Sequence, residues 1–309
     1  MRSHLIRAVA VLAAISAGAA AQEALALKFP AGTEFKQRDT LKMEQTLTTG
    51  GQAYPLTVDH SIVYRTTYGK PSGSNQTPVT STAESQTLNL QGPGNIALNF
   101  DSSQPLPMAP NPLLQPFLDL FAATSKAKLT YTVDAEGKVL GVTGAKEVIR
   151  QAPQDAAKLL ETEYADDRLI ANYQQELAVL PPQAVKQGDV WNRTETMHLG
   201  SGASLTFEMQ YEYLGQTDAG GRKVDKIGAK AQSVRYAMAP NPMLPITLKN
   251  SELKVDSSEG TILFDRELGR IVSRETKSHV TGELSLAAGT NDVAVTLDLK
   301  LERRSEPVN

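Results

Sequence analysis

Cysteine is absent from all 309 residues. Disulfide staples, thiol nucleophiles, redox exchange and Cys-ligated metals are therefore excluded, and stability must come from a packed core, for which the chain is long enough. Histidine is scarce, with four in all: His4, His60, His198 and His279. There is no His-x-His, no H-E-x-x-H and no clustered carboxylate triple, so no metal is expected. G-x-S-x-G elbows, phosphate-binding glycine loops and G-x-G-x-x-G turns are missing too, so no cofactor is expected and no catalytic residue is assigned. Ser251-Glu252-Leu253-Lys254 spells the S-x-x-K of acyl-serine enzymes, but it reads as a strand edge, not a helix start. Asp256-Ser257-Ser258-Glu259-Gly260 lacks the downstream ligands of a calcium loop and reads as a turn.

Long apolar runs are also missing. The one apolar stretch of note is 8–17 (AVAVLAAISA), preceded by Arg2 and Arg7 and followed by Ala19-Ala20-Ala21. That order is an export signal over residues 1–21, too short to span a bilayer comfortably. An exported chain in the periplasm or outside the cell is expected, with no transmembrane segment after cleavage. Loss of Arg2 and Arg7 leaves 29 of the 31 Lys and Arg against 34 Asp and Glu, a net charge of about −5. Mild acidity argues against nucleic acid or an anionic membrane as the main partner.

What the sequence does have is a repeat. Met108-Ala109-Pro110-Asn111-Pro112-Leu113-Leu114 returns as Met238-Ala239-Pro240-Asn241-Pro242-Met243-Leu244. The match is collinear with its surroundings. Asp134 of Val133-Asp134-Ala135-Glu136-Gly137-Lys138-Val139 follows Met108 by 26 residues, and Asp265 of Phe264-Asp265-Arg266-Glu267-Leu268-Gly269-Arg270 follows Met238 by 27. Upstream, Pro30-Ala31-Gly32-Thr33-Glu34-Phe35 opens one half and Lys186-Gln187-Gly188-Asp189-Val190-Trp191 opens the other. Such self-similarity predicts a duplicated module. Pro-Asn-Pro fixes φ twice, so each copy reads as a rigid crossover plugged into a core by its Met and Leu; the functional alternative is a cleft shared by the two copies.

Period-two alternation dominates, as in 204–213 and 293–302, where Leu, Phe, Met, Tyr and Val alternate with polar residues. Such strands have one face on a core and one in water, so antiparallel sheets are expected. Further strands are expected near 34–48, 56–68, 85–91, 95–101, 128–134, 138–143, 190–199, 222–235, 261–265, 270–275 and 278–287. Between 145 and 180 the period becomes helical, with Pro153 opening one segment and Pro181-Pro182 closing the run, and a shorter helix is expected over 116–123.

The predicted fold is a β-rich α+β protein. Two related antiparallel curved-sheet, half-barrel-like modules (27–144 and 184–304) are joined by a helical connector (145–183) and followed by a disordered tail (305–309). The inner sheet faces, closed over by the helices, would leave an apolar groove, for which His60, Tyr64, Phe207, Met209 and Tyr211 are the lining candidates on inward strand phases. His60 reads as a hydrogen-bonded core histidine before a functional one, since no second His or carboxylate shares its phase nearby, while His198 and His279 fall on polar phases. Trp191 stands where Phe35 stands in the other half and reads as a core anchor. Asp39, inward beside Phe35 and Leu41, or Asp166 and Asp167 are candidates for carboxylate chemistry.

Taken together, the export signal, F-P-A-G-T-E-F, V-D-A-E-G-K-V-L followed by V-T-G, V-L-P-P-Q-A-V-K-Q-G-D-V-W and F-D-R-E-L-G-R-I-V-S resemble an uncharacterised family of exported bacterial proteins of about 300 residues, a domain of unknown function. The resemblance spans nearly the whole chain after the signal. It implies a β-rich fold and export, and brings no known activity or functional residues to carry over. The expectation is a non-enzymatic envelope protein that binds a lipid, another apolar ligand or a protein partner in its groove. A structural or assembly protein with no small ligand and a carboxylate-dependent hydrolase are the alternatives.

Overall fold

The computed structural model describes residues 24–73, 75–94, 96–200, 202–239, 246–288 and 291–308. The signal segment 1–21 and most of the second MAPNP element lie outside the described residues. Twelve strands form one antiparallel sheet: β1 (Glu34–Thr49), β2 (Gln52–Tyr68), β3 (Thr77–Gly92), β4 (Ile96–Asp101), β5 (Lys128–Val133), β6 (Val139–Thr143), β7 (Val190–Gly200), β8 (Ala203–Ala219), β9 (Arg222–Met238), β10 (Ile246–Asp265), β11 (Arg270–Ala288) and β12 (Asn291–Pro307). Four helices, α1 (Gln115–Thr124), α2 (Ala145–Gln151), α3 (Gln154–Glu163) and α4 (Asp166–Leu177), cover part of it. The strand order is β6-β5-β3-β2-β1-β12-β11-β10-β9-β8-β7, with β4 also on β3. β1 pairs with β12 from Gln37↔Pro307 to Thr48↔Thr296, so the halves share one continuous sheet. Residues 305–307, expected as a disordered tail, complete β12, and Val308 donates its amide to the Lys36 carbonyl at 3.1 Å.

Several strands outrun the sequence pattern. β3 starts at Thr77 because Val79 and Ala83 face inward among small polar residues that mask the alternation. β10 absorbs the S-x-x-K letters and the supposed 256–260 turn. Register shifts at Leu248/Asn250 and Val255/Ser257 flip its phase, so its alternation is broken although the strand is not.

Both halves open in the same way. Gly32 donates to the Tyr68 carbonyl at 2.8 Å while Tyr68 donates to Thr33 at 2.9 Å; Gly188 donates to the Tyr213 carbonyl at 2.8 Å while Tyr213 donates to Asp189 at 2.9 Å. Gly32 (φ 80°) and Gly188 (φ 90°) hold the left-handed turn that this bond pair requires. The later motifs lock turns. Asp134 Oδ1 accepts the amides of Glu136 and Lys138, and Asp265 Oδ1 that of Leu268. Arg266 grips Asp225 with Nε and Nη2 at 2.5 and 2.6 Å, and Tyr213 donates to the same carboxylate at 2.6 Å. The quoted motif residues therefore fasten strand ends.

The two inner faces are filled differently. In the second half the sheet largely covers itself: Trp191, Leu205, Phe207, Met209 and Tyr211 from β7 and β8 pack in one cluster with Ile262, Phe264, Val280, Leu299 and Leu301 from β10–β12, joined by Leu25, Val179, Leu180 and Val185 from outside the strands. In the first half the helices do the covering, over three separate clusters. α1 lays Leu118 and Phe121 on Leu88, Leu98 and Phe100. α4 lays Leu169, Tyr173 and Leu177 on Tyr68, Tyr131 and Val139, with Tyr131 and Tyr173 stacked at 4.2 Å.

Candidate functional site

The site builds up from α4, which spans the two free edges of the sheet. An edge strand leaves N–H and C=O groups without partners, and two adjacent glutamines serve some of them here. Gln174 accepts the Val139 amide of β6 at 2.8 Å and donates to the Gly137 carbonyl at 3.3 Å. Gln175 accepts the Thr196 amide of β7 at 2.6 Å and donates to the Thr196 carbonyl at 3.2 Å. The ties of α4 to both edges are thus side-chain bonds, each about 0.5–1.5 kcal/mol net.

Glu176, the next residue, faces inward, where α4 meets a row of charge. Register places Asp39 of β1, Ser305 of β12 and Arg274 of β11 side by side across three strands. Ser305 donates to Asp39 and accepts from Gln37 Nε2 at 2.5 Å. Arg274 reaches over the inner face to Glu195 of β7, its Nη2 at 2.6 and 2.9 Å from the two carboxylate oxygens, and the Tyr211 hydroxyl donates to the same carboxylate. This β11-to-β7 bridge shows how far the sheet curls, since three strands lie between the two in sheet order.

Electrostatics follow from enclosure. Glu176 is itself exposed, yet the protein atoms crowded around its carboxyl push its pKa up to about 7; Asp39 and Glu195 raise it further while Arg303 and Arg274 oppose. Burial likewise raises Asp39, against its Ser305 bond and the two arginines. Tyr64 is pushed well up by burial, then by Tyr164, Asp39, Glu176 and Tyr131. Free space beside this belt of charge is small: a cavity of about 40 Å³ is lined by Gln175, Glu195, Phe207, Met209, Arg274 and Arg303 among others. That holds about three or four waters at roughly 10–15 Å³ each, against the ~300–1,000 Å³ of a small-molecule pocket. A larger depression of about 540 Å³ lies over β1 and β10–β12 and is bordered by the charged side chains of Lys42, Lys277, Lys300, Glu44, Glu259 and Glu302 together with Leu301.

The five groove candidates divide. Phe207 and Met209 border the small cavity, and Tyr211 is fully buried on Glu195, so these three pack as core in this closed form. Tyr64 faces the charged belt. His60 sits apart, bonded to Gln86 at 2.8 Å and packed on the Phe121 ring of α1, with burial holding its pKa below the usual imidazole value. Asp39 belongs to the belt, whereas Asp166 and Asp167 are exposed in the first turn of α4. His198 is exposed, and His279 is bonded to Asp298 at 2.9 Å. Trp191 donates to the Val179 carbonyl at 3.0 Å within the core. The first MAPNP element corrects its expectation: Ala109 and Leu114 are tucked in, but Met108 is 90% and Leu113 81% exposed, so neither plugs a core.

Glu176, Glu195, Arg274 and Arg303 were missed by sequence reasoning. For Arg303 the signal was present, since it continues the inward phase of Val293, Val295, Leu297, Leu299 and Leu301.

A model of a family of unknown function (DUF6263) matches residues 75–229, from β3 through α4 into β9. The chain belongs to this family. The matched span holds all four helices, the Gln174-Gln175-Glu176 run and Glu195. No curated protein matches the chain. Among solved structures it is similar to lipovitellin, in a structure describing lipid–protein interactions, at 10% identity over 91% of this chain and 26% of that one, with a TM-score of 0.48. The chain thus spans about a quarter of the lipovitellin chain. It is also similar to a putative exported protein with YmcC-like fold from Bacteroides fragilis NCTC 9343 (10% identity, 89% and 97% covered, TM-score 0.23) and to an outer membrane channel from Pseudomonas putida F1 (9%, 91% and 97%, TM-score 0.24).

Proposed function

We propose that this family member is a non-enzymatic, exported envelope protein that binds an apolar ligand between its helices and the inner face of β2–β6. The observation that carries the reading is the manner of covering. An apolar sheet face is closed by helices, and the helix that bridges the open edges is held there through side-chain bonds of Gln174 and Gln175. The cavity beside the belt holds only about 40 Å³, so a ligand of lipid size would enter there by displacing α4 and its neighbours, exposing Tyr68, Val79, Tyr131 and Val139. Native mass spectrometry of protein purified gently from its host, followed by solvent extraction, tests this. A co-purifying apolar molecule near one-to-one is expected, and a bare mass together with no binding of apolar probes by delipidated protein removes the reading.

Duplication is the proposed origin of this architecture. Its supports are the repeated Gly–Tyr bond pair and the like order of β6-β5-β3-β2-β1 and β11-β10-β9-β8-β7, which places the halves head to tail. A second functional reading, a carboxylate-dependent hydrolase, is favoured by one observation: Asp39 and Glu176 share the belt with raised pKa values. Asp39→Asn leaving activity on a discovered substrate unchanged would remove it.

A further inference from the structure

Four of the large apolar side chains most exposed among the described residues fall within twelve positions: Leu106 (44%), Met108 (90%), Leu113 (81%) and Phe117 (37%). They lie on the segment from β4 to α1. From Ser102 to Leu118 this segment has no charged residue and includes Pro105, Pro107, Pro110, Pro112 and Pro116. Its shape is built. Asn111 Oδ1 accepts the Leu113 amide at 3.0 Å, the Asn111 carbonyl accepts the Leu114 amide at 2.9 Å, and Gln115 Oε1 accepts the Ala109 amide at 2.9 Å. Ala109 and Leu114 anchor the segment on Leu88 and Leu98. Met108 and Leu113 therefore project from a fixed scaffold, and proline-fixed φ angles leave little chain entropy to lose when the tip docks.

We infer that this tip docks the protein on a lipid bilayer by inserting Leu106, Met108, Leu113 and Phe117 among the lipid chains. Three observations select that occupant. The patch is four side chains on a projecting loop, whereas a stable protein–protein interface takes about 800 Å² and roughly 20–30 residues from each partner. The inserted groups are mainly aliphatic, with no Arg, Tyr or Trp anchor of the kind that dominates protein hot spots, so the attraction is non-directional. Seventeen consecutive residues without charge, 102 to 118, impose no ion-desolvation cost at a bilayer, and the sequence repeats MAPNP at 238–242 inside a second uncharged stretch, 236–248. Docking does not depend on ligand binding between helices and sheet: either can fail without the other.

The test is co-sedimentation of the full chain with vesicles of pure phosphatidylcholine, comparing wild type, Met108→Asp/Leu113→Asp and, as a matched control, Leu140→Asp at another exposed apolar site (42%). Wild type and the Leu140 variant are expected to bind, with affinity little changed by salt, because the inserted tip carries no charge. The double variant, with unaltered circular dichroism, should lose about tenfold or more. Absence of vesicle binding, or binding that the double variant retains, overturns the proposal. So does concentration-dependent dimerisation that the double variant abolishes while vesicles remain unbound, which would make the tip a contact between copies of this chain.

Discussion

The halves of this sheet use opposite solutions to one problem. Each presents a concave apolar face. β7–β12 bury theirs by curling, so that Tyr211 and Phe207 meet Leu301 and Val280 in one cluster. β2–β6 bury theirs under helices in three smaller clusters. A sheet that covers itself is tied through backbone ladders and can open only by unfolding. A face covered by helices can open while its ladder stays intact, because α4 meets the ladder through Gln174 and Gln175. The two halves of one sheet thus differ in what covers them, and the difference lies in α1–α4.

Core truncations should break the comparison most sharply. Phe264→Ala, in the self-covered half, should cost about 3–5 kcal/mol in a single cooperative urea transition. Leu160→Ala, fully buried among α1–α3, should cost about 2–5 kcal/mol, seen as faster hydrogen exchange in the helices while β10 and β11 keep their protection. Equal loss of protection in both regions would show that the helices are no separate unit. Arg266→Ala tests the fastening of the self-covered half. It strands Asp225, 1% exposed, without its bidentate partner, and about 3–5 kcal/mol should be lost.

Much of this plan is legible in the sequence. The alternation of 204–213 and 293–302 marks β8 and β12, and the change of period at 145 marks α2–α4. The polar strands are not legible. β3 enters the sheet on Thr77, Val79 and Ala83, and β10 shifts phase at two bulges, so neither alternates as a half-buried strand should. The belt is least legible. Arg274 and Glu195 lie 79 residues apart and three strands intervene, so only the curl reveals the pair. Motifs that carry the family resemblance lock turns, which is why they signal fold without chemistry.

Smaller effects sharpen the lid. Gln174→Ala and Gln175→Ala each remove two bonds, about 1–3 kcal/mol together per variant, and each should speed exchange in α4 and strengthen apolar-probe binding. Glu176→Gln should act through pH. The folded-state carboxyl, near 7, holds its proton more tightly than the unfolded one near 4.5. Stability from this group is therefore complete below pH 4.5, falls as pH rises through 7 and is lost above. Thermal scans from pH 5 to 8 should show wild type declining more steeply than Glu176→Gln; parallel curves would place the carboxylate in contact with bulk water.

The central claim is that the helix-covered face opens to an apolar ligand while the self-covered half stays shut. Its most direct test is hydrogen exchange on delipidated protein titrated with a fluorescent fatty acid. Saturable one-to-one binding, with altered exchange in α2–α4 and unchanged exchange in β10 and β11, is the predicted result. No saturable binding, or changes confined to β7–β12, would contradict it.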